Sequence, residues 1–252
     1  MSQPRLSVVV VTLDEEERIR PCLESVAWAD ELIVVDAESH DKTAAVAGEL
    51  TEHVFVRPWP GYAAQKNFGI EQAHGEWILS LDADEVVSAA LRAEIEAVVA
   101  GGGAGPDGYS VPRRNIFWDR WIRHGGLYPD WQLRLFRRER GRFVARAVHE
   151  SVVVDGAVGR LRGHLEHRSY RDVADFLERT DRYTTLAAED WLAEGRGARP
   201  FRDLVVRPLG RFFGMYVWRG GFLDGWRGFL LAVLYGYYVF MRSAKIWERA
   251  RR

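Results

Sequence analysis

The first hundred residues alternate two hydrophobic rhythms. Residues 6–12 (LSVVVVT) form a nearly continuous β-branched run, which predicts a buried strand, and residues 15–26 then place Ile19, Leu23 and Val26 at amphipathic helical spacing. Residues 32–36 (LIVVD) read as a second strand ending in a carboxylate, followed by SHDKTAAVAGEL, a helix that Ser39 or Asp41 can cap. A short strand over 53–56, a helix over 62–73, a strand over 76–81 and a helix over 88–99 continue the pattern. This rhythm predicts parallel βαβ units with right-handed crossovers, an α/β fold.

Residues 101–108 (GGGAGPDG) interrupt the rhythm, and because a strand pattern resumes over 109–113 they read as a loop inside one domain. Strands over 131–137 and 151–154 and a helix over 171–192 follow. From Pro200 the texture changes. Residues 201–218 and 222–247 read as two aromatic-rich helices studded with arginine and broken at Arg219-Gly220-Gly221. The expected organisation is an α/β domain over 1–198, with halves at about 1–100 and 108–198, then a cationic amphipathic helical hairpin over 199–252.

Charge sharpens that division. The chain's net charge of -1 separates into +8 over residues 199–252 and -9 over the rest. The longest apolar run, residues 228–241, falls short of the roughly 18–20 residues of a membrane span and lies between Arg227 and Arg242. The hairpin is therefore expected either to lie at an anionic membrane surface or to pack against protein. A polar basic stripe for nucleic acid is not what this region presents. The only cysteine, Cys22, excludes an internal disulfide and reads as a small buried apolar residue. The N-terminal run ends at Asp14 as a strand would, unlike a signal peptide, which implies a cytoplasmic location; with the cationic hairpin, the expected place is peripheral at the inner face of the membrane.

The candidate chemistry lies at strand ends, where open parallel sheets bind ligands. Thr12-Leu13-Asp14-Glu15-Glu16 follows the first strand, Asp36 with Ser39 and Asp41 the second, and Asp82-Ala83-Asp84-Glu85 the fourth. No glycine-rich dinucleotide turn and no GxxxxGK[ST] loop is present. Two carboxylates one residue apart can instead hold a hard divalent cation that bridges phosphate oxygens; they can equally form an acidic first helical turn.

Taken together, TLDEE, VVDAESHDKT, AAQKNFG (residues 63–69) and WILSLDADE resemble family 2 of the inverting glycosyltransferases, nucleotide-sugar enzymes of GT-A fold. PDWQLRLFRR (129–138), AVHESVVV (147–154) and HLEHRSYRD (164–172) are similar to the lipopolysaccharide core glucosyltransferases. The resemblance implies a GT-A-like, mostly parallel sheet flanked by helices, a UDP-sugar donor, Mg2+ or Mn2+, and a glycolipid or polysaccharide-precursor acceptor. It places Thr12 and Glu15 in the nucleotide pocket, Asp36 on the uracil or ribose, Asp41 in support of that loop and Lys66 near the base or phosphates. Asn67 would fix a helix start, Asp82 would meet the ribose or the metal shell, and Asp84 would ligate the metal.

An inverting transfer needs one general base. Glu150 is the expected base, with His149 orienting it, binding metal or contacting phosphate; a structural His-Glu pair at a strand start is the other reading. Arg134, on the opposite strand face from Leu135 and Arg137, can meet the leaving phosphate or an anionic acceptor. Trp118, Trp121, Tyr128 and Trp131 can stack on a sugar or fill a core. His164 and His167 show no further ligands near them in the sequence and so do not suggest zinc. Two other functions remain open from the sequence: transfer to a polyprenyl phosphate, and a non-catalytic binding or scaffold protein.

Overall fold

The computed structural model describes residues 5–101, 105–144, 151–195 and 199–251. Its strands are β1 (Leu6–Thr12), β2 (Glu31–Asp36), β3 (Val54–Val56), β4 (Trp77–Asp82), β5 (Glu85–Val87), β6 (Gly108–Phe117), β7 (Arg120–Trp121), β8 (Asp130–Arg137), β9 (Gly141–Val144), β10 (Ser151–Val154), β11 (Val158–Arg160) and β12 (Leu165–His167). The α-helices are α1 (Ile19–Glu24), α2 (Thr43–Gly48), α3 (Tyr62–Gln72), α4 (Ala89–Ala100), α5 (Val173–Ala193), α6 (Arg207–Phe213) and α7 (Gly225–Arg249).

The main sheet runs β3-β2-β1-β4-β8-β6-β12-β5. Its β3-β2-β1-β4 part is parallel, as the alternation of strands and helices predicts, whereas β8 joins antiparallel to β4 and β6 antiparallel to β8. The β-branched run of β1 serves both faces: Val8 and Val10 pack with Leu79, Leu81, Leu23 and Leu91 on one side, and Val9 and Val11 with Ile33, Ile78 and Ile70 on the other. Gly69 lets α3 approach closely, since a Cβ there would stand 2.4 Å from Val9 Cγ1.

The chain divides into two compact units, one of residues 1–113 and 130–167, the other of residues 114–129 and 168–252. Helix α5, expected with the α/β domain, thus belongs with the C-terminal helices. Within the second unit, α7 packs on both α5 and α6. The break at Gly220, φ 67°, is observed, followed by one short turn over Gly221–Asp224 and Gly225 at φ 65°. The segment Gly221–Arg249, 29 residues, is long and apolar enough to cross a membrane by length and composition. The helix is longer than the apolar run suggests because it continues through Arg227 and Arg242.

Candidate active site

Parallel register sets the acidic strand ends side by side. Thr12 pairs with Asp36, and Val11 with Asp82. Thr12 is buried, and its hydroxyl has no hydrogen-bond partner among the described residues; the same holds for the side-chain amide of buried Gln65 on α3. The loops after β1 and β2 turn through left-handed Asp14, φ 53°, and Glu38, φ 59°. They are sewn together: Asp14 N donates to Ser39 Oγ at 2.9 Å, His40 N to Asp14 Oδ1 at 2.7 Å, and Glu15 N to Thr43 Oγ1 at 2.8 Å.

Asp36 is fully buried and accepts from Ser39 N at 2.8 Å and Ser39 Oγ at 2.5 Å. Asp41 accepts from Thr43 N at 2.9 Å and Glu16 N at 3.1 Å, so it braces both loops. Burial would raise the Asp41 carboxyl, but these donors outweigh it and hold it below its ordinary value. Neither Ser39 nor Asp41 occupies the N-cap of α2, which is Lys42; their side chains are spent on Asp36 and Thr43. Glu15 pairs with Arg18 at 3.3 Å.

The acidic motif spans the end of β4 and the start of β5. Asp82 Oδ1 lies 2.8 Å from Lys66 Nζ, and its Oδ2 lies 2.5 Å from Arg134 Nη2. The same Nη2 meets Glu85 Oε1 at 2.5 Å. Arg113 Nη1 donates to Glu85 Oε1 at 3.2 Å, while its Nε and Nη2 donate to Asp130 Oδ2 at 2.8 and 2.6 Å. Gln132 Nε2 completes the row, donating to Asp130 Oδ1 at 2.8 Å. Lys66, Glu85 and Arg134 are buried, so the row is a compensated ion network rather than a solvated face. Burial alone would raise the Asp82 carboxyl, but Arg134, Lys66 and Arg113 hold it well below the usual carboxylate range. Burial likewise opposes the Arg134 charge, and Asp82 and Glu85 reverse that and raise it.

Asp84 faces different company. Strand β12 pairs antiparallel with β5, His167 opposite Glu85, which brings His167 Nε2 to 3.4 Å from Asp84 Oδ2. Arg18 Nη1 stands 4.0 Å from the same oxygen. A carboxylate and an imidazole this close form a donor set that suits Mn2+, and Mg2+ through the carboxylate. Among the described residues no group of three or more His, Cys, Asp or Glu is arranged to hold a metal. Among the described residues Asp84 and His167 are thus the pair that could meet such an ion. Asp82, expected to share the metal, has each oxygen engaged by a cation instead.

Several expectations change. His167, set aside in the sequence for want of nearby ligands, lies beside Asp84 because β-pairing connects distant segments. Glu85 opens a strand and no helix; Ser88 caps α4 by accepting from Leu91 N at 3.3 Å. Asn67 is inside α3, where its side chain exchanges two 2.9 Å hydrogen bonds with the Phe143 backbone. Arg137 and Arg138 sit where β8 meets the start of β4, bound to Glu76 and to Gly75 O, away from the Asp82 end. Trp131 belongs to the first unit, Trp118, Trp121 and Tyr128 to the second. His149 and Glu150 lie outside the described residues. Arg113 and Asp130 escaped sequence reasoning, although Asp130 stands within PDWQLRLFRR.

The model of the family described as Glycosyl transferase family 2 matches residues 7–167. The chain is 32% identical over 253 residues to the lipopolysaccharide core biosynthesis glycosyltransferase LpsC of Rhizobium meliloti, covering 97% of this chain and 92% of that protein. It is 30% identical over 257 residues to an uncharacterized glycosyltransferase of Rickettsia felis, covering 97% of this chain and 90% of that one. Among solved structures, the mannosyltransferase PcManGT from Pyrobaculum calidifontis, in complex with GDP-Man and Mn2+, is similar with a TM-score of 0.55 at 15% identity, over 99% of this chain and 89% of that chain. Glucosyl-3-phosphoglycerate synthase from Mycobacterium tuberculosis gives a TM-score of 0.50 at 17% identity, over 77% and 81%. At these identities the two structures speak to the fold.

Proposed function

Because the chain belongs to glycosyl transferase family 2 and is a glycosyltransferase of GT-A-like fold, we propose that it moves a hexose, glucose, from a UDP-sugar to a lipopolysaccharide-core or other cell-envelope glycan with inversion. The observation that carries this reading is the asymmetry of the acidic motif. Asp82 is neutralised by Lys66 and Arg134, so it orients the loop and the donor, whereas Asp84 and His167 would hold the divalent cation, Mg2+ or Mn2+. When bound, that cation neutralises the diphosphate leaving group. The buried Thr12 hydroxyl and Gln65 amide are polar groups that a nucleotide would satisfy, with Glu15, Asp36 and Asp41 shaping the pocket around it.

Glu150, assisted by His149, is the proposed base. A second candidate is Asp130, which Arg113 and Gln132 hold at the start of β8. Comparing Glu150→Gln with Asp130→Asn assigns the role: the base variant loses turnover while UDP binding persists. The second unit carries an exposed apolar surface, with Phe201 75% and Trp218 78% exposed and Leu223 and Trp226 both at 59%. Together with the local charge of +8, it supports attachment to an anionic membrane surface, where a glycolipid acceptor resides.

The test is incubation with UDP-glucose and Mn2+ and either a truncated lipopolysaccharide core or a polyprenyl phosphate, followed by mass spectrometry. Addition of one hexose to the core oligosaccharide is expected. Addition only to polyprenyl phosphate would replace the acceptor, and failure of every UDP-hexose beside success of a GDP-sugar would replace the donor.

A further inference from the structure

We propose that the β6–β7 hairpin of the second unit carries a binding site for an anionic saccharide, one bearing a carboxylate or a phosphate; naming that saccharide as part of the acceptor rests on the transferase reading above. The hairpin pairs Ile116 with Trp121 and Phe117 with Arg120. Its tip, Trp118-Asp119, is left-handed at both residues, φ 49° and 59°. Such a turn ordinarily takes Asn or Gly, and each non-glycine residue held there costs on the order of 1–3 kcal/mol, a strain typical of ligand-binding loops.

Side-chain alternation sets Arg114 and Ile116 on one face, with Trp121 beside them. Arg114 Cζ lies 4.2 Å from the Trp121 ring centroid, Arg123 Cζ 4.3 Å from it, and Tyr128 meets the same ring edge-on at 5.1 Å. Among the described residues neither guanidinium has an ion-pair partner. The nearby acids are already committed: Asp119 pairs with Arg168 at 3.7 Å, and Asp224 accepts from His124 N at 2.8 Å and Arg123 N at 3.2 Å. Two like charges against one indole repel, and no anion among the described residues offsets them.

The hydrogen-bond inventory points the same way. Arg114 Nε and Trp121 Nε1 are buried donors with no partner among the described residues. Each unmade bond costs about 1–3 kcal/mol, which a ligand oxygen would recover. An oxyanion matches the two guanidiniums, and a sugar ring matches the indole and phenol faces. A neutral hexose would leave both cations uncompensated.

The test is two-dimensional NMR of the 15N-labelled full-length protein, following the Trp121 indole N–H, which Trp121→Phe identifies by its disappearance. Galacturonic acid and galactose 6-phosphate should each shift this signal saturably, and galactose should not; the two acids separate a carboxylate from a phosphate preference. Arg123→Gln, an exposed position, should weaken the effect about tenfold, the weight of one charge-assisted hydrogen bond. An indole signal that ignores both acids, or that moves equally with galactose or with inorganic phosphate alone, overturns the proposal. UDP with Mn2+ is titrated into the same sample. Donor binding with a silent Trp121 refutes this site and leaves the transferase reading intact, whereas a responsive Trp121 without donor binding supports the site and removes its designation as acceptor.

Discussion

Arg134 in the sheet unit meets Asp82 and Glu85 at 2.5 Å each; Arg114 and Arg123 in the helical unit meet an indole and, among the described residues, no carboxylate. The apolar side chains differ in the same sense. In the first unit Val8, Leu79, Leu91 and Ile95 are wholly inside, while in the second Phe201, Phe213, Trp218 and Trp226 stand in solvent. A buried charge is tolerated only when paired, and a large apolar side chain is stabilising only when removed from water. The first unit therefore neutralises its buried charges within itself, whereas the two proposals made for the second unit, an anion at Trp121 and an anionic membrane surface along its exposed aromatics, both look outside the chain.

This contrast can be broken at its strongest point first. Asp84→Asn should cut transfer by about 100-fold or more, the scale of losing a key electrostatic stabiliser of the leaving group, and His167→Ala should raise the Mn2+ concentration needed for half-maximal activity; assays across a metal series check both. Next in size, Arg134→Met removes the shared partner of two buried carboxylates and should cost about 3–5 kcal/mol in urea unfolding. Arg134→Lys should recover part of it, because both carboxylates meet a single nitrogen, Nη2, and an ammonium keeps that charge without the guanidinium's reach and planarity.

Smaller effects sharpen the other half of the comparison. Flotation with phosphatidylglycerol vesicles should carry the wild-type protein and fail for Trp218→Glu/Trp226→Glu, while neutral vesicles bind less, at about 1 kcal/mol per arginine near the surface. The smallest expected effect is acid sensitivity at Glu31, which accepts from His74 N at 2.9 Å and Ser7 Oγ at 2.5 Å. Burial would raise this carboxyl, but the hydrogen bonds from His74 and Ser7 lower it. Its contribution is then fully present above the ordinary value of about 4.3 and lost as pH falls through its lower folded value. Glu31→Gln should lower stability modestly near neutrality and flatten its fall below that pH, so that the two proteins converge in acid.

The same contrast accounts for what could be read from the sequence. β1 falls where residues 6–12 predicted, because a β-branched run buried on both faces has no competing helical pattern. The acids at the ends of β1, β2 and β4 were visible for the same reason: strand ends are marked by where the apolar run stops. Strand β5 was not visible, since three residues carry no period. The Asp84–His167 and Arg113–Asp130 pairs join segments far apart in the chain, and no local spacing encodes them. The membership of α5 was misjudged because its apolar stripe records that it packs, not what it packs on. The helical hairpin was legible from Arg219-Gly220-Gly221, and the helix over 222–247 nearly to its full extent, while Arg227 and Arg242 shortened the uninterrupted apolar run by which its span was judged.

Of the proposed roles, the one on which the others depend is that Asp84, and not the ion-paired Asp82, holds a cation for the donor diphosphate. Calorimetric titration of UDP into the wild-type protein and Asp84→Asn, each with and without Mn2+, tests it directly. Metal-dependent binding in the wild type that disappears in the variant is the predicted result. Binding that is indifferent to both the metal and the substitution would contradict it.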